Sequence, residues 1–216
     1  MWDHDDGMHD DAAGKRGGRS GLLGRQPSAL GLRLGRGSFL RAHPPSHPKD
    51  IDMLALTEPQ IRASFVNCSR GEATKLTLPA DLDETRWDRL DYYGWIDRKA
   101  PLRAYVVVPV DDTAVGIALR APENAAKRRR AVCAWCEDVY ATGEVSLYVA
   151  RRGGASGRNG DTIGTLICTT FGCSRNVRRI PRIVEAGDDP EGLVLRRIDG
   201  LRERSARFAE EVLRGA

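Results

Sequence analysis

Cys133-Ala-Trp-Cys136 and Cys168-Thr-Thr-Phe-Gly-Cys173, separated by 31 residues, decide the fold of this chain. A structural metal such as zinc takes four soft ligands in a tetrahedron, and a two-residue gap lets one tight turn aim both thiolates of a pair at a single ion. The second pair, with four residues between its cysteines, is looser. It still closes the site when the intervening residues fold back as a hairpin that brings its end beside its start. Two strand patterns, about Glu144 to Ala150 and Asp161 to Ile167, supply that hairpin around the loop Arg151-Arg-Gly-Gly-Ala-Ser-Gly-Arg-Asn-Gly160. After Cys173 a short helix fits Ser174 to Ile180 and ends before Pro181, so the last ligand falls in its first turn. There the helix N-terminus and nearby arginines favour the thiolate. Knuckle, hairpin and helix together predict a treble-clef zinc finger at about 130–182, holding one structural Zn2+ through Cys133, Cys136, Cys168 and Cys173.

Other chemistries of paired cysteines fit less well. A redox Cys-x-x-Cys of thioredoxin type needs one pair opening a helix after a buried strand, whereas a second pair stands here at zinc spacing. A catalytic zinc needs an open coordination position, and four sulfurs leave none. The zinc deaminases also require an upstream His-x-Glu, yet the four histidines, His4, His9, His43 and His47, all precede the domain. The glycines at 154, 157, 160 and 164 imitate a phosphate loop superficially, but a phosphate loop leads from strand into helix and this one leads into a strand. No catalytic residue is expected. Cys68, the fifth cysteine, has no cysteine neighbour and reads as a small buried hydrophobe or a tolerated surface thiol.

The chain of 216 residues, 41% hydrophobic, suffices for one sizeable core or two small ones. No run of apolar residues is long enough to span a bilayer, and no secretory signal is expected from an opening that reads Asp3-His4-Asp5-Asp6. Five clustered cysteines in such a chain suit a reducing cytoplasm and a metal site. The net charge is +4, but residues 127 to 182 hold eleven Lys or Arg, including Lys127, Arg128, Arg129 and Arg130, against four acids. Such a segment attracts RNA phosphate or an acidic protein face.

Residues 1–52 carry nine of the 23 glycines and no sustained apolar periodicity, the signature of a disordered tail or of a start assigned too early. From Met53 the pattern changes. Thr57 can cap a helix with Pro59 in its first turn and Gln60 completing a capping box, and the helix is expected to run from Glu58 to about Ser69, burying Ile61, Phe65 and Val66. The rings of Trp87, Tyr92, Tyr93 and Trp95 are expected to fill core. Ala104 to Val110 and Ala114 to Leu119 read as a hairpin turning at Asp111-Asp112-Thr113, with Pro109 requiring an edge or a bulge at its position. A last helix shows Ile198, Leu201, Phe208 and Val212 on one stripe. The fold class is therefore α+β, a small antiparallel sheet with a treble-clef zinc finger and flanking N- and C-terminal helices, all within residues 53–216.

Several of these stretches resemble one family. Tyr93-Gly-Trp-Ile-Asp-Arg-Lys-Ala-Pro-Leu-Arg, the Cys133/Cys136 knuckle, Ala150-Arg-Arg, Gly157-Arg-Asn-Gly-Asp-Thr-Ile-Gly-Thr, and Cys168 through Cys173-Ser-Arg-Asn-Val-Arg are similar to the C-terminal treble-clef domain of elongation factor G-binding proteins of the fusidic-acid-resistance type. The resemblance runs from about Thr57 to Val212, and the N-terminal helical bundle of longer members is expected to be lacking. It implies a binding module and not an enzyme, cytoplasmic, with Cys133, Cys136, Cys168 and Cys173 as zinc ligands and elongation factor G, at the ribosome, as partner. On that reading Arg151, Arg152, Arg158, Asn159, Arg175, Arg178 and Arg179 are the candidate partner contacts. The alternative is an RNA- or ribosome-binding zinc finger that uses the same basic segment. Neither reading needs a membrane or a small-molecule substrate.

Overall fold

The computed structural model describes residues 53–121 and 130–215; the expectations for residues 1–52, and for Lys127, Arg128 and Arg129, lie outside the described residues. Its centre is a five-stranded antiparallel meander in the order β1 (Tyr93–Ile96), β2 (Arg103–Val110), β3 (Thr113–Arg120), β4 (Val145–Arg151) and β5 (Thr162–Cys168). Around it lie α1 (Glu58–Ala63), α2 (Arg70–Thr74), α3 (Gly154–Arg158), α4 (Cys173–Val177), α5 (Ile183–Ala186) and α6 (Pro190–Leu213). This is the α+β arrangement expected from the sequence.

The valine-rich β2 is buried on both faces, which is why it reads as an apolar run and not as an alternation. Ala104, Val106 and Val108 face a larger core shared with Ile117, Leu119, Tyr148 and α6. Tyr105 and Val107 face a smaller one with Met53, Ile61, Tyr93 and Trp95. The aromatic cluster divides accordingly. Tyr93, Trp95 and Tyr105 stack in series at 5.2 Å between successive rings, whereas Tyr92 goes to the other side of the sheet and meets Trp135 edge-on at 4.8 Å. α6 closes the larger core with Leu201, Phe208 and Val212 of the stripe its sequence announced, with Ser205 buried on the same helix, and Ile198 packs at the margin. Pro109 sits in an interior strand, but β1 pairs only with residues 104–107 of β2, so the side of Pro109 turned away from β3 meets no ladder.

The first helix is shorter than the sequence suggested. Gln60 accepts from the Thr57 N–H at 2.8 Å, as the capping box requires, but α1 stops at Ala63. The next residues are captured by the open edge of β3: Val66 donates to the Gly116 carbonyl at 3.0 Å and Gly116 donates to Ser64 at 2.9 Å. A second capping box, Ser69 with Glu72, then starts α2 across Gly71. Sheet hydrogen bonds with β3 outweigh the helical periodicity of Phe65 and Val66.

Asn67 completes this insertion. β3 and β4 pair only at Leu119–Ala150 and Arg120–Val149, then diverge. The Asn67 side chain fills the gap as a peptide would, donating to the carbonyls of Ala118 and Arg151 at 3.0 Å each and accepting from Ala118 N–H at 2.8 Å. Replacing it with alanine orphans these backbone groups, so Asn67→Ala is expected to lower unfolding free energy by about 2 kcal/mol or more in urea denaturation. A change within about 0.5 kcal/mol, ordinary for surface positions, would contradict the role given to this side chain.

Candidate metal centre

The four sulfurs converge. Cys133 and Cys136 come from the turn before β4, Cys168 ends β5 and Cys173 opens α4, and all four Sγ atoms lie within 4.8 Å of one another. The Cys133–Cys173 and Cys136–Cys168 separations are both 3.6 Å. A tetrahedron with zinc–sulfur bonds of about 2.3 Å has edges of about 3.8 Å, so the spacing suits zinc. It is far beyond a disulfide bond, and all four cysteines are free and buried.

The surroundings also suit thiolates. The backbone N–H groups of Trp135 and Cys136 point at Cys133 Sγ, both at 3.4 Å, and Asn176 Nδ2 points at Cys168 Sγ at 3.4 Å. Without a cation the four groups compete for protons. Hydrogen bonds from Cys136, then Cys168 and Cys173, hold Cys133 far below the ordinary thiol range, and donation to Cys133 is the chief reason Cys168 and Cys173 are pushed far above it. Cys136 is lowered as well, so the cluster favours thiolates on the knuckle and thiols on the other pair, and a divalent cation supplies the charge that four thiolates require. The buried Tyr92 hydroxyl stays protonated, pushed well above its usual range by burial first and by Cys173 second.

The knuckle is tied to the rest of the molecule at several points. Ala134 donates to the Leu166 carbonyl of β5 at 2.7 Å. Trp135, 1% exposed, lies 5.7 Å from the Phe208 ring of α6, and its carbonyl accepts from Arg204 Nε at 2.8 Å. α4 is held by Asp91, whose side chain is wholly buried between Arg178, at 2.5 and 3.1 Å, and Arg202 of α6 at 3.0 Å. All four ligands thus belong to the larger core.

The loop expected between β4 and β5 is partly helical. Arg151 still belongs to β4, and α3 follows because its backbone is strapped to the end of α6: Gly153 donates to the Val212 carbonyl at 2.8 Å and Ser156 to Gly215 at 3.2 Å. A Cβ on Gly157 would lie 1.8 Å from the Arg152 carbonyl oxygen, so no side chain fits there. Among the seven residues singled out as partner contacts, Arg152 donates to the Glu211 carbonyl of α6 and Arg178 holds Asp91. Arg179 is bound to Asp138 at 2.6 Å and stacks on the Tyr140 ring at 4.4 Å. Arg151, Arg158, Asn159 and Arg175 are exposed. Cys68 stands apart from the cluster, its thiol pushed up to about 11 by burial and by Glu72, and is therefore protonated.

A feature the motifs did not signal is a cluster of exposed apolar side chains just beyond α4. Ile180, Ile183 and Val184 are 86, 88 and 95% exposed. Val139 and Tyr140 are exposed as well, and the guanidinium of Arg182 lies 5.0 Å from the Tyr140 ring. A short run of Ile and Val after a proline is also how buried strands read, so sequence alone does not mark it as surface.

Fold and site define a treble-clef zinc-finger domain that holds one zinc ion. The family model described as the FBP C-terminal treble-clef zinc-finger matches residues 60–212, and the chain belongs to that family. No curated protein and no solved structure matches it.

Replacing Cys168 with serine is expected to abolish zinc retention and the cooperative melt, because zinc binding supplies much of the folding free energy of such sites. Acidification should act in the same direction: thiolates bind zinc and protons compete, so the stability contributed by the ion is present at neutral pH and lost as pH falls. A Cys168→Ser variant that melts like the parent chain, or zinc retention independent of pH down to the carboxylate range, would contradict the site.

Proposed function

We propose that this chain is a cytoplasmic binding module, not an enzyme, that acts on translation by docking on elongation factor G at the ribosome. Membership of the family supports the partner. Four sulfurs fill the coordination sphere of the zinc, which leaves no position for a reactive water and supports a structural role for the ion. Among the described residues no helix is long and apolar enough to cross a membrane.

The observation that carries a protein partner is the exposed cluster of Ile180, Ile183 and Val184. Tyr140 and the exposed Arg175, Arg179 and Arg182 lie along the same stretch of chain or against it. Large apolar side chains held at the surface beside tyrosine and arginine are the composition of an interface centre, where a few residues dominate affinity. The rival reading, RNA, draws on the excess of Lys and Arg in residues 127 to 182. That excess is offset where Arg152, Arg178 and Arg179 engage Glu211, Asp91 and Asp138.

Ile183→Asp combined with Val184→Asp removes apolar surface without touching either core. The pair is expected to leave the melting temperature unchanged and to weaken binding to elongation factor G by about tenfold or more, measured by titration calorimetry. Intact affinity in the pair would overturn the docking surface. Co-purifying RNA, released with a steep salt dependence while elongation factor G fails to bind, would move the assignment to RNA.

A further inference from the structure

Three arginines leave adjacent strands on the sheet face opposite the zinc. Arg103 of β2 pairs directly with Arg120 of β3, Arg120 pairs with Val149 of β4, and Arg151 follows two residues later on the same face. Adjacent strands lie about 5 Å apart and a strand rises about 3.3 Å per residue, so Arg103 and Arg120 start about 5 Å apart and the outermost pair, Arg103 and Arg151, about 12 Å apart. Together with Lys75, just beyond α2, they line an open cavity of about 1050 Å3. Its wall is largely apolar, built by Leu76, Pro101, Leu102 and Val149 with the Tyr105 ring.

Four cations, Lys75, Arg103, Arg120 and Arg151, share this cavity with two carboxylates, Glu72 and Asp97, so it keeps an excess of positive charge. Asp97 is buried and already accepts from the N–H groups of Lys99 and Ala100 and from the Tyr105 hydroxyl. Glu72 is taken up by the N–H and hydroxyl of Ser69, which hold its carboxyl below the usual range, with Arg151 and Arg103 contributing less. Arg103, Arg151 and Lys75 form no ion pair among the described residues. The arginines set into the cores differ: Arg62, Arg178, Arg202 and Arg204 each meet a carboxylate.

We propose that this cavity binds a phosphorylated small molecule of about nucleotide size, its phosphates held by Arg103, Arg151 and Lys75 and its body laid against Pro101, Leu102 and Val149. Guanidinium groups match phosphate oxygens in pairs, and a cavity of this volume with an apolar wall and a few convergent polar groups suits a compact organic ligand. An RNA strand would need exposed rings on which successive bases stack. The ring among the residues that line the cavity, Tyr105, is buried. The site lies across the sheet from the zinc and does not depend on the proposed docking to elongation factor G.

Calorimetric titration of the zinc-loaded full chain with ADP and with GDP tests it, with inorganic pyrophosphate and a short single-stranded RNA as further arms. Saturable binding of at least one nucleotide is expected, weakened about tenfold or more in Arg103→Gln/Arg151→Gln, whose replaced side chains are exposed and whose melt should match the parent. A second pair, Arg158→Gln/Arg175→Gln, lies outside the cavity and should bind as the parent does. Three results would each overturn the proposal: no heat from either nucleotide up to about 1 mM, equal loss in both pairs, or sensitivity to the first pair for the RNA alone.

Discussion

Four thiolates brought together inside a hydrophobic core are the constraint on which this structure depends. Each of the four is buried, and none belongs to a peripheral loop. The cation that lets them ionise together therefore fixes three things at once: the Cys133–Cys136 turn, the return of the β4–β5 hairpin, and the start of α4. Because Trp135 lies inside that turn and meets both Tyr92 and Phe208, the same ion positions the ring that joins the sheet to α6. Metal and core form one cooperative unit.

Around that unit, much of the sequence that marks the family turns out to serve the scaffold. Gly94 leaves room for Phe171, whose ring a Cβ there would meet at 2.7 Å; Phe171 itself has a positive φ of 56°. Asp97 organises the turn between β1 and β2 through two backbone N–H groups. Arg178 commits its guanidinium to Asp91, and removal of that carboxylate would leave Arg178 and Arg202 facing each other without the charge that joins them, a costly arrangement. Surface available for partners is what remains: Arg175 and the apolar residues beyond α4 on one side, the basic cavity on the other.

The metal site was legible because its signal is local and chemical: ligand type and spacing alone restrict four cysteines to one ion. The β2–β3 hairpin and the stripe of α6 were legible for a similar reason, since their periods are those of single elements. What escaped was non-local. Nothing in Ser64 to Asn67 announces an edge of β3 some fifty residues away that takes its hydrogen bonds and cuts α1 short. The Arg151–Gly160 segment gave no sign that the end of α6 would bind it and wind part of it into α3. Charge patterning counted Arg152, Arg178 and Arg179 as available, because their carboxylate partners come from elsewhere in the chain.

X-ray absorption at the zinc edge of the purified native chain tests the central claim most directly. The expected first shell is four sulfurs at about 2.3 Å around a single zinc per chain, with no nitrogen or oxygen ligand. A first shell holding water, a carboxylate or an imidazole, or fewer than four sulfurs, would contradict a closed structural centre and, with it, the account of how this core is held together.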